Sequence, residues 1–356
     1  MNKVLNEDFT YIKNSEELEF EKFKNSSIFI TGATGLIGSL LVKFFLYLND
    51  EYNYNVHIYA LIRNKKKAQK IFGANNRKKF HYVISDLSSK NSLEVKEKID
   101  YIVHAAAITN SKYLISNPVN AIKVSVNGTE KVLDLAIEKR VQSVVYISSM
   151  EVYGQPSVKE KVTESDLGNI DLTKARSCYP EGKRMCECIC EAYASQFDLN
   201  VKIARLAQTF GAGVLPEDKR VFAQFTKSIM NGQNIILHTQ GTSEGNYVYT
   251  ADAIKAILLL LLNGKKGEPY NVVNEHSHTT IMNMAKMVVN KFGNKDQKVI
   301  VEIPNKDLGY APEVHMTLSG EKLRALKWDP KFNLIDSYKR LIEYNKLERE
   351  KYEHTN

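Results

Sequence analysis

Thr31-Gly32-Ala33-Thr34-Gly35-Leu36-Ile37-Gly38 is the stretch on which the fold turns. A short apolar run, Ser27–Thr31 (SIFIT), precedes it, and an apolar segment of helical character, Leu36 to Leu48, follows. A strand that feeds a glycine turn and then a helix gathers free backbone N–H groups and the positive end of a helix dipole at one point, which suits a phosphate. In this reading Gly32 permits the tight turn, Gly35 lets backbone approach a pyrophosphate and Gly38 lets the helix pack closely. Such turns also occur without any ligand, so position carries the inference: this one joins the first strand to the first helix.

Outward from the turn the same alternation continues. Val56–Ile62, Phe80–Ile84, Tyr101–His104, Ser143–Ser148 and Val201–Arg205 read as strands, and Asn120–Lys139 and Tyr179–Phe197 as helices. Strands alternating with helices predict an α/β fold, a Rossmann-type doubly wound parallel sheet covered on both faces. After about residue 210 the pattern becomes irregular, and the chain ends in a helix at Leu334–Lys346. The predicted organisation is an N-terminal extension (1–24) with no readable chemistry and a dinucleotide-binding domain (25–210). A smaller, mainly substrate-binding α/β region (211–346) and a charged tail (347–356) follow.

Composition narrows the function classes. The 356 residues are 43% hydrophobic and carry a net charge of +8. A basic balance suits phosphorylated small molecules. The charges are scattered, Lys65, Lys66 and Lys67 form the one triple run, and no aromatic–basic ladder appears, so nucleic acid is not an expected partner. The four cysteines, Cys178, Cys186, Cys188 and Cys190, lack metal-site spacing. On a helix Cys186 and Cys190 share a face and Cys188 does not, which reads as free thiols in a reducing compartment and no metal site. The N-terminus is polar, and the longest apolar stretch, Ala256–Leu262, is far short of the roughly 20 residues a membrane span needs. A cytoplasmic location and no membrane partner are expected.

Tyr179-Pro180-Glu181-Gly182-Lys183 puts a phenol and an amine four residues apart, on one face of a helix. A neighbouring ammonium lowers a phenol pKa, so the tyrosine can act as acid or base near neutrality. Lys183 can also hold a nicotinamide ribose. Ser149, just past the fifth strand in Ser148-Ser149-Met150-Glu151, is positioned to bond a substrate oxygen. Where the second strand ends, an acid usually accepts a ribose 2′-OH; here the residues are Ile62-Arg63-Asn64. Arg63 leans the cofactor from NAD towards NADP, by pairing with a 2′-phosphate, although an arginine can also stack on adenine.

The G-x-x-G-x-x-G spacing, with Ser149, Tyr179 and Lys183, resembles the short-chain dehydrogenase/reductase superfamily. The extended members that act on nucleotide sugars (epimerases, 4,6-dehydratases, decarboxylases and reductases) are similar from about Ser27 to Tyr344. The resemblance includes Arg205-Leu206-Ala207-Gln208-Thr209-Phe210-Gly211, Arg220-Val221-Phe222, Tyr249-Thr250-Ala251-Asp252 and Tyr270-Asn271-Val272. It implies an NAD(P)-dependent enzyme that moves a hydride at a carbon of a nucleotide-diphosphate-linked sugar or polyol. By the same resemblance the cofactor contacts are Gly32, Thr34, Gly35, Leu36, Ile37, Gly38, Arg63, Asp86, Leu87, Ala105, Ala106, Ala107, Asn127 and Lys183. The substrate contacts are Gln208, Arg220 and Val221, and the catalytic groups are Ser149, Glu151, Tyr179 and Lys183. Asp86 has a plainer alternative as a helix N-cap. A homodimer through the Asn127 and Tyr179 helices is implied too, with Val132, Leu133 and Ile189 compatible with it or with core packing.

The reaction branch is open at this level. Met150 stands where 4,6-dehydratases carry a proton-donating acid, which disfavours that elimination. Arg176 to Arg184 resembles the glucuronate decarboxylase branch, but Ser243-Glu244-Gly245-Asn246-Tyr247 lacks that branch's arginine. The alternative is an NADPH-dependent reductase making a nucleotide-linked polyol or deoxysugar, for example from a CDP-linked ketose. Glu151 is either a catalytic acid or a structural one. A catalytically silent nucleotide-binding scaffold is the competing class, and the intact Ser149, Tyr179 and Lys183 set speaks against it.

Overall fold

The computed structural model describes residues 1–73, 77–89, 91–157, 160–304 and 313–353. An N-terminal helix, α1 (Lys3–Lys13), leads through a short helical turn to β1 (Ser27–Thr31), α2 (Leu36–Tyr52), β2 (His57–Ile62), α3 (Lys65–Phe72) and β3 (Phe80–Ile84). The chain continues through β4 (Tyr101–His104), α4 (Ser111–Ser116), α5 (Pro118–Lys139), β5 (Ser143–Ser149), α6 (Cys178–Phe197) and β6 (Val201–Leu206). Next come β7 (Gln208–Phe210), α7 (Val221–Met230), β8 (Ile235–Leu237), β9 (Glu244–Tyr249), α8 (Thr250–Asn263) and β10 (Pro269–Val272). The last elements are β11 (Asn274–Thr280), α9 (Ile281–Phe292), β12 (Val299–Val301), α10 (Glu321–Arg324) and α11 (Leu334–Glu353).

The central sheet has seven parallel strands in the order β10-β6-β5-β4-β1-β2-β3. Every residue of β1 and of β6 is buried, as expected of strands covered on both faces. The order reverses between β1 and β4, and the crevice beyond their carboxyl ends is where ligands bind in such sheets. A three-stranded sheet, β11-β9-β7, and a parallel pair, β12-β8, form the second layer.

Three features differ from the sequence reading. First, β10, assigned from sequence to the substrate region, is the edge strand of the main sheet, in parallel register with β6 (Tyr270 with Ala204). It completes the sheet because β6 would otherwise be an unpaired edge. Helix α8 is buried from Thr250 to Leu261 and packs with the same core, so the unit built on the main sheet extends well past residue 210. Secondly, residues 1–24 are no loose extension. Val4, Leu5, Phe9 and Ile12 of α1 join the main core, and Phe9 meets Phe44 edge-on at 5.5 Å. Thirdly, the helix predicted to end at Lys346 continues to Glu353, into the charged tail. Val132 and Leu133 take the core-packing alternative and are fully buried, with Ile189 at the edge of that core.

Candidate active site

The glycine turn is forced by close approach. Gly32 adopts φ +63°, and a Cβ there would lie 2.6 Å from the Ala105 carbonyl oxygen. A Cβ on Gly38 would lie 2.3 Å from the Gly32 carbonyl oxygen. Gly38 is therefore needed by the turn itself as well as by helix packing. Gly35 is the exposed N-cap of α2, and no side chain caps that helix end, so its N–H groups face outward with Thr34, Leu36 and Ile37 partly exposed around them. Across the turn, Ala105, Ala106 and Ala107 supply only methyl groups at the end of β4. Thr31 ties the two loops together: its Oγ1 accepts from Ala106 N (3.0 Å) and lies 2.7 Å from His104 Nδ1. Burial lowers the His104 pKa to about 3, with the Lys183 charge acting in the same direction, so the imidazole is neutral.

Arg63 is exposed just past β2, and its charge helps hold Asp86 below the usual carboxylate range, after the Ser88 backbone hydrogen bond. Asp86 caps a turn by accepting from Ser88 N (2.9 Å) and Ser88 Oγ (2.8 Å), close to its plainer alternative. Leu87 is buried with its Cβ against Gly128 of α5. Asn127 lies on the exposed side of α5; the polar residues buried on this stretch are Ser125, which faces Gly182 of α6, and Thr129, whose Oγ1 lies 3.1 Å from His104 Nε2.

Ser149, at the end of β5, accepts from Glu151 N (3.2 Å) and hydrogen-bonds the Tyr179 phenol. Tyr179 opens α6 in a small cluster with Leu114, Ala121 and Cys178. Burial pushes its phenol well above the ordinary value, and the Glu151 charge adds to the rise. The Ser149 hydrogen bond and the charges of Arg176 and Arg220 oppose it. The sequence reading has Lys183 acidifying this phenol. In the fold Lys183 is fully enclosed, donates to Ile147 O (2.6 Å) and stands 4.6 Å from the Tyr146 ring but 6.0 Å from that of Tyr179. Its own pKa falls to about 8, because desolvation outweighs the pull of Cys186, Glu187 and Cys190.

Arg220 lies at the start of α7, bonded through Nη2 to Asp218 Oδ2 (2.6 Å) and stacked on Phe222 at 4.6 Å. Val221 follows it, partly buried. Gln208, half-buried in β7, pairs in register with Tyr247 of β9. A Cβ on Gly245, in β9, would be 3.8 Å from Met150 Cε, which brings this strand against the loop that follows Ser149.

A buried network that sequence reasoning did not assemble supports these groups from below. Ser148 Oγ donates to Glu187, which accepts from Arg205 Nε (3.1 Å) and Nη2 (2.7 Å). Arg205 also reaches Tyr153 Oη (3.0 Å), and Tyr153 donates to Asn271 of β10 (2.6 Å). The available signal was the four-residue spacing of Lys183 and Glu187, which puts both on the inner face of α6. Cys186 and Cys190 are buried on that face too, and Cys188 is exposed. Among the described residues no group of three or more His, Cys, Asp or Glu side chains is arranged to hold a metal, and no helix is long and apolar enough to cross a membrane.

Residues 28–273 match the family model described as NAD dependent epimerase/dehydratase family. The chain belongs to that family. It is 30% identical over 312 residues to UDP-glucuronic acid decarboxylase 6 of Arabidopsis thaliana, covering 87% of this chain and 86% of that protein. It is 24% identical to the dTDP-D-glucose 4,6-dehydratase of Bos taurus, covering 89% and 88%. An epimerase from Methanothermobacter thermautotrophicus superposes with a TM-score of 0.79 over 96% of this chain and 97% of its own, at 20% identity. A dTDP-glucose 4,6-dehydratase from Streptomyces venezuelae, solved with NAD bound, gives 0.74 at 21% identity over 91% and 98%. These last two likenesses bear on the fold.

Proposed function

We propose that this member of the family binds a nicotinamide dinucleotide and acts on a nucleotide-diphosphate-linked sugar or polyol by hydride transfer at a sugar carbon. The observation that carries the reading is the Ser149–Tyr179 hydrogen bond beside a fully enclosed Lys183, at the open end of the parallel sheet. The chain's residues fit the cofactor. The uncapped start of α2 and a turn with no room for a Cβ at Gly32 or Gly38 suit a pyrophosphate, and the Ala105–Ala107 methyl groups leave space beside it. When bound, the dinucleotide supplies the hydride acceptor or donor. Tyr179 exchanges the proton of the reacting hydroxyl or carbonyl, Ser149 fixes the oxygen that carries it, and Lys183 orients the cofactor ribose. Burial keeps the phenol protonated at rest, which suits proton donation to a carbonyl. Arg220 and Gln208 face the nucleotide diphosphate.

A second reading, NADPH-dependent net reduction to a nucleotide-linked polyol or deoxysugar, is favoured by Arg63 at the end of β2, where it is exposed and free to meet a 2′-phosphate. A homodimer is supported by Val119 and Ile122 on α5 and Met185 on α6, which are 63%, 44% and 51% exposed.

The experiment is a screen of UDP-, CDP-, GDP- and dTDP-sugars with NAD and NADP, read by product mass. Loss of carbon dioxide, loss of water, gain of two hydrogens or an unchanged mass with a new stereoisomer each selects one branch. Tyr179→Phe should reduce turnover by a factor on the order of 10² to 10⁴ while cofactor binding persists. Full activity in that variant, or no change in any nucleotide sugar, overturns the reading.

A further inference from the structure

Arg176 precedes α6 by two residues, and its place is set by two contacts. Its Nη2 lies 2.9 Å from Glu151 Oε1 and 2.8 Å from Oε2, and its guanidinium carbon stands 5.4 Å from the centre of the Tyr179 ring. Its Nε–H is buried with no hydrogen-bond partner. An arginine that only braced the loop would be expected to satisfy that donor, because an unpaired buried N–H is costly. Here the guanidinium's hydrogen bonds among the described residues go to Glu151, the residue two positions after Ser149, while its face lies against the phenol. Arg220 also acts electrostatically on Tyr179 but is committed to Asp218, so the Arg176–Glu151 pair is the adjustable charge beside the ring.

We infer that Arg176 is a positioning residue of the reaction: it engages Glu151 as the anion of an ion pair and holds its own cation against Tyr179, so that the two charges together tune the phenol. The inference rests on the function proposed above.

The test reads the phenol directly and needs no sugar substrate. A polyfluorinated tyrosine, whose phenol is several pH units more acidic than tyrosine's so that its titration falls where the protein stays folded, is placed at position 179 of the full chain, saturated with NAD, and its fluorine resonance is titrated. Arg176→Gln should raise the midpoint by about one pH unit and Glu151→Gln should lower it by about as much, with the double variant returning close to the parent. Arg176→Lys should keep most of the parent value; if Arg176→Gln does not fold, this variant and the downward shift in Glu151→Gln carry the test. Midpoints that do not move, or that move in the same direction in both single variants, overturn the inference. The readout is independent of turnover, so a failed sugar screen with these opposed shifts would sink the proposed function and leave the Arg176–Tyr179 coupling standing.

Discussion

Two carboxylate–guanidinium pairs flank the Tyr179–Lys183 segment in sequence, one through Arg176 and one through Glu187, and they are built differently. Glu187–Arg205 is sealed, with side chains 10% and 5% exposed, and its donors go to Glu187, Tyr153 and the Glu164 carbonyl. Glu151–Arg176 is more open, at 35% and 18%, and leaves Nε–H without a partner. The sealed pair joins β5, α6, β6 and, through Tyr153 and Asn271, β10. It fixes the floor on which the site stands. The open pair touches the phenol and little else. The sealed pair spends its donors on joining strands and a helix, whereas the open pair leaves one donor unspent beside the phenol.

The comparison can be broken at its strong end first. Glu187→Ala leaves the Arg205 charge buried and unpaired, and should cost about 3–5 kcal/mol of folding stability in chemical denaturation. A loss below about 1 kcal/mol would mean the sealed pair is no keystone.

A third ion pair sharpens the contrast by its pH dependence. Asp8 of α1 accepts from Tyr249 Oη (2.8 Å) and Arg340 Nε (2.9 Å), joining the two ends of the chain. Burial raises its pKa from 3.8 to about 7, outweighing the Arg340 charge. The folded chain thus keeps a proton that the unfolded chain releases. That contribution to stability is full below about 3.8 and is lost as pH rises through about 7. Asp8→Asn does not titrate, so its denaturation midpoint should gain on that of the parent between about pH 5 and pH 8. A variant midpoint that falls relative to the parent's as pH rises would contradict the assignment.

The smallest stability effect belongs to the open pair. Arg176→Gln and Glu151→Gln should each change folding stability by no more than about 1 kcal/mol, as for partly exposed pairs. Thermal melts of both variants check this, and a loss comparable to that of Glu187→Ala would give the two pairs the same structural role.

Local spacing made part of the site legible. The strand–turn–helix at Ser27–Leu48 and the Tyr179–Lys183 interval are statements about backbone geometry over a few residues, and helical periodicity correctly paired Cys186 with Cys190. On α5, packing leaves Asn127 exposed and buries Ser125 and Thr129. Direction along a helix follows from sequence; which side meets the sheet follows from packing.

The sequence by itself determined the alternating α/β order, the glycine turn and the tyrosine–lysine interval, because each depends on neighbours within one or two turns of chain. Tertiary structure alone decided that β10 closes the sheet, that α1 is clamped to α11 through Asp8 and Arg340, and that Arg176 lies against Tyr179. Those facts join residues whose charges and edges need partners, and the folded chain supplies partners that no local rule names: Arg340 is 332 positions from Asp8, and Asn271 is 118 from Tyr153.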